Sequence, residues 1–270
     1  MLIHSQHLFL SGVLSLSLLG FGQSSVQASD HPQPSKAQDS IATALPQAPL
    51  FVPPTPPPNQ NAPRGRLRGG ASRDACWASG ANAETLPLQA LIPNHQDSVW
   101  GLTATSHPQF WFYVPDLGQP TKLEFVLQDK TDAYVYRTHI QVASAGVVRI
   151  PLPESAPPLA VGSDYTWTLA MICNPQHRSR DRFVQGRIQR VELPASLEQS
   201  LETLSAAEQV PLLAAAGLWY DTLTTLGELR RQQPQDAQVL ATWQQLLQEV
   251  GLSPVVTSPL VEIDLLSSVY

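Results

Sequence analysis

Between Trp100 and about Val191 apolar and polar residues alternate with a period of two, the pattern of strands that bury one face. Leu123, Phe125 and Leu127 alternate with Lys122, Glu124 and Gln128, and Val148, Ile150 and Leu152 with Arg149 and Pro151. Tyr165, Trp167, Leu169, Met171 and Cys173 share one face, opposite Thr166, Thr168, Ala170 and Ile172. The alternation predicts strands over residues 99–105, 109–114, 121–128, 133–142, 146–152, 164–173 and 183–191, divided by turn-forming stretches such as PDLGQP, QDKTD and NPQHRSRD. About seven strands with connections this short predict an antiparallel, Ig-like or jelly-roll-type β-sandwich rather than a parallel sheet.

After Pro194 the spacing of apolar residues changes to three or four. Leu197, Leu201 and Leu204 mark one amphipathic stretch, and Leu212, Ala216, Trp219, Leu223 and Leu226 run down a longer helix to Arg230. Val239, Trp243, Leu246, Leu247 and Val250 form a third, which begins after Gln233-Pro234 and stops at Gly251. The chain is therefore mainly β with α: a sandwich followed by a three-helix segment, whose apolar stripes need the sheet as a partner. Trp219 lies on its stripe and leaves Tyr220 at the flank. Two adjacent large aromatics are not expected to face one core, which suggests a protein partner for the helical face. The cadence from Gly217 to Leu247 resembles half a tetratricopeptide unit, but no second copy stands at a fixed period.

The residues ahead of the strands have another character. Residues 8–21, LFLSGVLSLSLLGF, are an uncharged apolar run too short for a comfortable membrane span, and Val26-Gln27-Ala28 offers the residues a signal peptidase reads. Residues 1–28 are expected to be a signal peptide cleaved after Ala28, with an uncleaved anchor as the alternative. Residues 29–63 hold ten of the 25 prolines, including PPTPPP, and no sustained apolar period. They predict an extended, disordered tether. Residues 64–75 form an Arg/Gly-rich hinge with Arg64, Arg66, Arg68 and Arg73. It is expected to be solvated, the sharper alternative being attraction to anionic envelope polymers or lipid head groups. The sandwich domain is then expected over residues 76–194, the helical cap over 195–252 and a tail over 253–270.

Charge adds little to this picture. The chain carries a net charge of −6 with 14% charged residues, so no basic field points to nucleic acid. The two cysteines, Cys76 and Cys173, would form a disulfide in an oxidising compartment; two buried free thiols are the alternative. They are too far apart, and too poor in histidine neighbours, for a zinc site. G-x-S-x-G, H-E-x-x-H and phosphate-cradling loops are missing from the sequence. Nothing in the sequence brings together any two of Glu124, Asp129, Asp132, Asp164 and Asp181 as glycoside chemistry would need. Asp129 and Asp132 look like turn residues. Arg178, Arg180 and Arg182 form a second basic cluster in a hairpin loop, expected to be solvated. No catalytic residue, metal or cofactor is expected.

One stretch concentrates aromatics: HPQFWFYVPD, residues 107–116. Alternation assigns Phe110, Phe112 and Val114 to the core between the sheets. Trp111 and Tyr113 fall on the other face, where with Trp100 they form a candidate binding surface able to stack against sugar rings. The competing expectation is that the helices pack over them. The segments APRGRLRGGASRDAC, LTATSHPQFWFYVP, LEFVLQD, DYTWTLAMICNP, FVQGRIQRV and GLWYDTLTTLGELR resemble the successive motifs of a cyanobacterial exported family catalogued only as a domain of unknown function, number 928. The resemblance covers about Ala62 to Leu252. It implies a cyanobacterial origin and export, fits the pairing of Cys76 with Cys173, and supplies no activity. The expected function is that of an exported, periplasmic or envelope-associated protein that binds a protein or envelope polymer without catalysis. The alternative is a carbohydrate-binding module that uses Trp111 and Tyr113, and an enzyme with an unfamiliar site ranks last.

Overall fold

The alternating stretches become strands in the computed structural model, which describes residues 49–55, 86–95 and 98–269. In chain order these are β1 (Gln89–Ala90), β2 (Asn94–His95), β3 (Ser98–Thr103), β4 (Gln109–Val114), β5 (Thr121–Asp129), β6 (Tyr134–Val142), β7 (Gly146–Pro151), β8 (Asp164–Met171), β9 (Arg182–Arg190) and β10 (Asp264–Val269). They form a small sheet, β1-β4-β7, and a large one, β10-β6-β5-β8-β9-β3-β2. The sandwich expected from the pattern is present, with one departure: β3 runs parallel to β9, Trp100 opposite Arg187.

The inner faces are the ones alternation selects. Leu123, Phe125, Leu127, Leu169, Val184 and Ile188 are fully buried. Phe110 and Phe112 of the small sheet meet Phe125 at 4.8 Å and Trp167 at 5.4 Å, centroid to centroid. Such tilted and edge-on aromatic pairs combine large apolar burial with favourable quadrupole geometry. Asp129 builds the β5–β6 turn: its Oδ1 accepts from the Thr131 amide and hydroxyl and from the Ala133 amide. Asp132 there takes a left-handed φ of 64°.

Four helices follow rather than three: α1 (Ala195–Thr203), α2 (Ala206–Ala215), α3 (Trp219–Gln232) and α4 (Ala237–Glu249). The single long helix expected through Trp219 is broken at Gly217, whose φ of 72° favours a residue without Cβ. There the Leu218 amide donates back to the Leu213 carbonyl at 3.0 Å, closing α2 with a Schellman-type stop. Ser205 and Glu208 form a capping box at the start of α2, and Asp236 caps α4.

Trp219 and Tyr220 are both buried, contrary to the expectation that one would be left at the flank. The first turn of α3 enters the sandwich, so the two rings diverge into separate parts of the core. The Trp219 indole N–H donates to the Leu91 carbonyl at 2.9 Å. The Tyr220 hydroxyl accepts from Trp167 Nε1 at 2.6 Å and donates to the Arg187 carbonyl at 3.0 Å. Gly101 on β3 leaves room, since a Cβ there would lie 3.0 Å from the Tyr220 ring.

The stretch read as a tail is structured over residues 253–269. The Pro259 carbonyl accepts from the Val147 amide, and the Val261 amide donates to the Val147 carbonyl, both beside β7. The chain then crosses to the large sheet, where β10 pairs antiparallel with β6. One segment thus joins an edge of each sheet.

Candidate functional site

Trp111 and Tyr113 lie where the helices cover the small sheet, and they form no open surface. Trp111 is 4% exposed. Its indole N–H donates to Thr224 Oγ1 of α3 at 3.2 Å, and its ring meets Trp243 of α4 edge-on at 6.2 Å. Gly227 of α3 sits directly over the ring. Beside it Arg149 pairs with Glu228 at 2.8 Å. Tyr113 is also buried, and burial beside Asp116 pushes its hydroxyl pKa up. Trp100 is buried too, but on the face of the large sheet turned away from the small one, in register with Arg187. The candidate surface of Trp111, Tyr113 and Trp100 is therefore corrected: Trp111 and Tyr113 lie together under the helices and Trp100 on the large sheet, all three buried, so they form no common open surface.

The basic loop after β8 is also not merely solvated. Glu124, on the outer face of β5, receives Arg137 from β6 and Arg178 from the loop. Arg178 in turn pairs with Asp181, whose Oδ1 accepts from the Cys173 amide at 3.1 Å. Burial would raise the Glu124 pKa, but hydrogen bonds from Arg178 and Arg137 outweigh it and hold the carboxyl below its usual range. Two of the isolated carboxylates, Glu124 and Asp181, thus meet through one guanidinium. The charges are spent on each other, which makes this cluster a clasp for the Cys173 loop and a poor ligand site. Cys76 and the hinge arginines Arg64, Arg66, Arg68 and Arg73 lie outside the described residues.

A different place has the character of a site. The connection from β3 to β4, α1, α2 and the first turns of α3 enclose a cleft of about 360 Å³. Its floor carries Asp221, third residue of α3, where a carboxylate suits the positive end of the helix dipole. Asp221 Oδ2 accepts from the Ala104 amide at 3.1 Å and Oδ1 from Thr105 Oγ1 at 2.6 Å. Burial nevertheless dominates and raises its pKa, despite hydrogen bonds from Thr105, Thr103 and Ala104. Gln109, at the start of β4, contributes an amide oxygen that is buried and has no donor among the described residues. Thr224, Thr225 and Gln209 add polar groups, and Leu201, Leu213 and Tyr220 an apolar wall.

The cleft is held rigidly. Arg190 Nε donates to the Ala104 carbonyl at 3.1 Å and Nη1 to Leu159 at 2.7 Å. Gln209 Nε2 ties α2 to the carbonyls of Leu201 and Leu204. His107 lines the cleft, but Nδ1 is 3.1 Å from Ser106 Oγ and Nε2 3.1 Å from the Ala156 carbonyl. Nε2–H donates to that carbonyl and Nδ1 is engaged by Ser106, so both ring nitrogens are occupied and the ring is badly placed to move a substrate proton. The groups that face the cleft are chiefly acceptors and hydroxyls, suited to holding a ligand rich in hydrogen-bond donors. Sequence reasoning missed Asp221 and Gln109, because neither carries a local chemical signature and they come to line one cleft only when α3 packs against the β3–β4 connection.

A family model described as Domain of Unknown Function (DUF928) matches residues 68–260. A search of curated proteins found no match.

Proposed function

The chain belongs to the DUF928 family, and on that premise we propose that it is an exported, non-enzymatic binding protein whose cleft between helices and sandwich takes a hydroxyl-rich saccharide unit of an envelope polymer. The observation that carries this reading is the buried Gln109 amide oxygen, without a donor among the described residues, in the same cleft as the Asp221 carboxylate. A buried acceptor left unpaired costs about 1 to 3 kcal/mol, and a ligand hydroxyl would offset that cost. A volume of about 360 Å³ lies within the usual range of small-ligand sites, and the Tyr220 and Leu213 wall offers apolar contact for the C–H face of a sugar ring.

Titration calorimetry of the mature protein against a panel of mono- and oligosaccharides tests it. Saturable binding is expected, with Gln109→Ala weakening it about tenfold, the equivalent of about one hydrogen bond, at nearly unchanged melting temperature. Absence of saturable binding across the panel, or binding indifferent to Gln109→Ala, would overturn the reading. The earlier alternative, an aromatic platform of Trp111 and Tyr113, has no observation in its favour because both rings are covered.

Export, cleavage after Ala28, a cyanobacterial source, an envelope-binding role for Arg64–Arg73 and a Cys76–Cys173 disulfide belong to the same proposal. The uncharged run at residues 8–21 supports export. That no described cysteine is free supports the disulfide. N-terminal sequencing of secreted material and maleimide labelling without reductant test these two points.

A further inference from the structure

Residues 49–55 lie within the stretch read as a disordered tether, yet they are bound to the helices. The Leu50 and Phe51 amides donate to Glu249 Oε2 of α4 at 2.8 and 3.2 Å, and the Val52 amide to the Ala214 carbonyl of α2 at 3.1 Å. Phe51 is buried, its ring edge-on to Trp219 at 5.0 Å. Pro54 packs against Gly217. Backbone donors satisfied by fixed acceptors, with one aromatic anchor in a pocket, are the means by which proteins recognise extended peptides. Past Leu50 a groove of about 290 Å³ continues between α2 and α4, floored by Val210, Leu226, Leu229 and Val239, and its lining includes Asp236 but no Lys, Arg or His.

We propose that the seat of residues 50–54 and the groove beyond Leu50 are one peptide-binding trough, filled in cis over one half and, among the described residues, open over the other to a partner protein's extended, apolar, proline-containing segment. The carboxylates of Glu249 and Asp236 select against acidic segments. Thirty residues separate Thr55 from Leu86. As part of the same chain, the strap competes at an effective concentration of roughly millimolar. A peptide that merely copied the strap would lose this competition. A peptide that also fills the open half makes contacts the strap lacks and displaces it.

Fluorescence anisotropy with two labelled synthetic peptides, PLFVPPT and the longer LVLAPLFVPPT, tests this on the full chain. The longer peptide is expected to bind saturably and at least tenfold tighter than the shorter. Val52→Pro deletes the strap's hydrogen bond to Ala214 at a side chain 47% exposed, so it leaves the core intact while raising the affinity for both peptides. Thr242→Glu, on the groove rim, should weaken the longer peptide alone, and replacing the peptide's Phe by Ala should abolish binding. The proposal falls if the longer peptide shows no saturable binding to the Val52→Pro chain. It also falls if binding ignores the peptide's Phe or the Thr242→Glu change.

Discussion

Tyr220 and Asp221 are neighbours in sequence, and their polar ends serve different parts of the molecule. The Tyr220 hydroxyl accepts from the buried Trp167 indole N–H and donates to the Arg187 carbonyl. Burial raises its pKa far enough that it stays protonated. Tyr220→Phe should therefore cost about 1 to 3 kcal/mol, because two buried groups lose partners and no apolar contact is gained. Urea denaturation should show a lower midpoint at unchanged m value. Asp221 behaves in the opposite sense. Its folded-state pKa is raised above the unfolded value, chiefly by burial, so ionised Asp221 is a burden on the folded state. That burden is present at neutral pH, shrinks as pH falls through the folded-state pKa, and is gone below the unfolded one. Asp221→Asn retains a carbonyl acceptor for Thr105 or Ala104 without the charge. The variant should be at least as stable as the parent at pH 7, with the difference closing in acid; melting temperatures from pH 7 to pH 4 check this. A variant markedly less stable at pH 7 would show that the charge itself holds the β3–β4 connection to α3.

At the scale of elements, the contact between α3 and β4 depends on a missing side chain. A Cβ on Gly227 would lie 2.3 Å from the Trp111 ring, which is itself wedged between α3 and Trp243. Gly227→Ala gains helix propensity of about 1 kcal/mol, but the rigid buried ring cannot move aside without repacking, and overpacking costs about 1 to 3 kcal/mol or more. Net destabilisation is expected. Trp111→Phe in the same chain should recover part of it, so a double-mutant cycle should show coupling well above about 0.5 kcal/mol. Additive effects would mean that α3 simply rides higher on the sheet. This junction also marks how far the sequence could be read. Alternation placed the inner faces of β3 to β9 because each strand is long enough to repeat its period. It failed for β1 and β2, two residues each, and for β10, whose DLLSSV does not alternate. The helical period ran through Gly217 because a left-handed residue leaves no trace in spacing. Phe51 was invisible among prolines, since a single aromatic carries no period at all. The cleft escaped for the same reason: Asp221 and Gln109 are brought together by packing between segments 112 positions apart in sequence, and neither has a local signature.

For the molecule as a whole, the sequence segments at both ends of the described fold close layers that would otherwise be open. The strap at residues 49–55 bridges α2 and α4, and residues 258–269 join β7 of the small sheet to β6 of the large one. The acid response of the fold depends on a third tie, the clasp at Glu124. Its folded-state pKa is lowered, so its stabilising effect is complete above the unfolded carboxylate value and disappears as pH falls through the lower folded one. Glu124→Gln should destabilise the protein at pH 7 and flatten its acid unfolding below about pH 4.5. A parallel downward shift of the whole curve would place the acid sensitivity elsewhere.

The C-terminal tie permits the strongest test of the architecture. Deleting residues 258–270 would uncover β6, a nine-residue strand, as a long sheet edge whose amides and carbonyls on the β10 side are unpaired. It would also remove the Pro259 and Val261 hydrogen bonds to Val147 and the Ser258 carbonyl that receives Arg230 Nη2 at 2.8 Å. Arg230 lies over Trp243, 4.8 Å from the ring, and its other terminal nitrogen, Nη1, is already buried without an acceptor among the described residues. Losing Ser258 would leave a desolvated guanidinium poorly paired in the helical layer, so damage at the sheet edge would extend into the cap. An exposed edge of this length is a template for pairing with another chain. The truncated protein should therefore both melt lower and associate. Light scattering should rise with concentration under conditions where the full chain stays dispersed, and adding a Lys at the outward position of Gln141 should suppress the association without restoring the lost stability. If the truncated chain melted like its parent and stayed dispersed, the crossing from β7 to β6 would be decoration on a sandwich that is already closed.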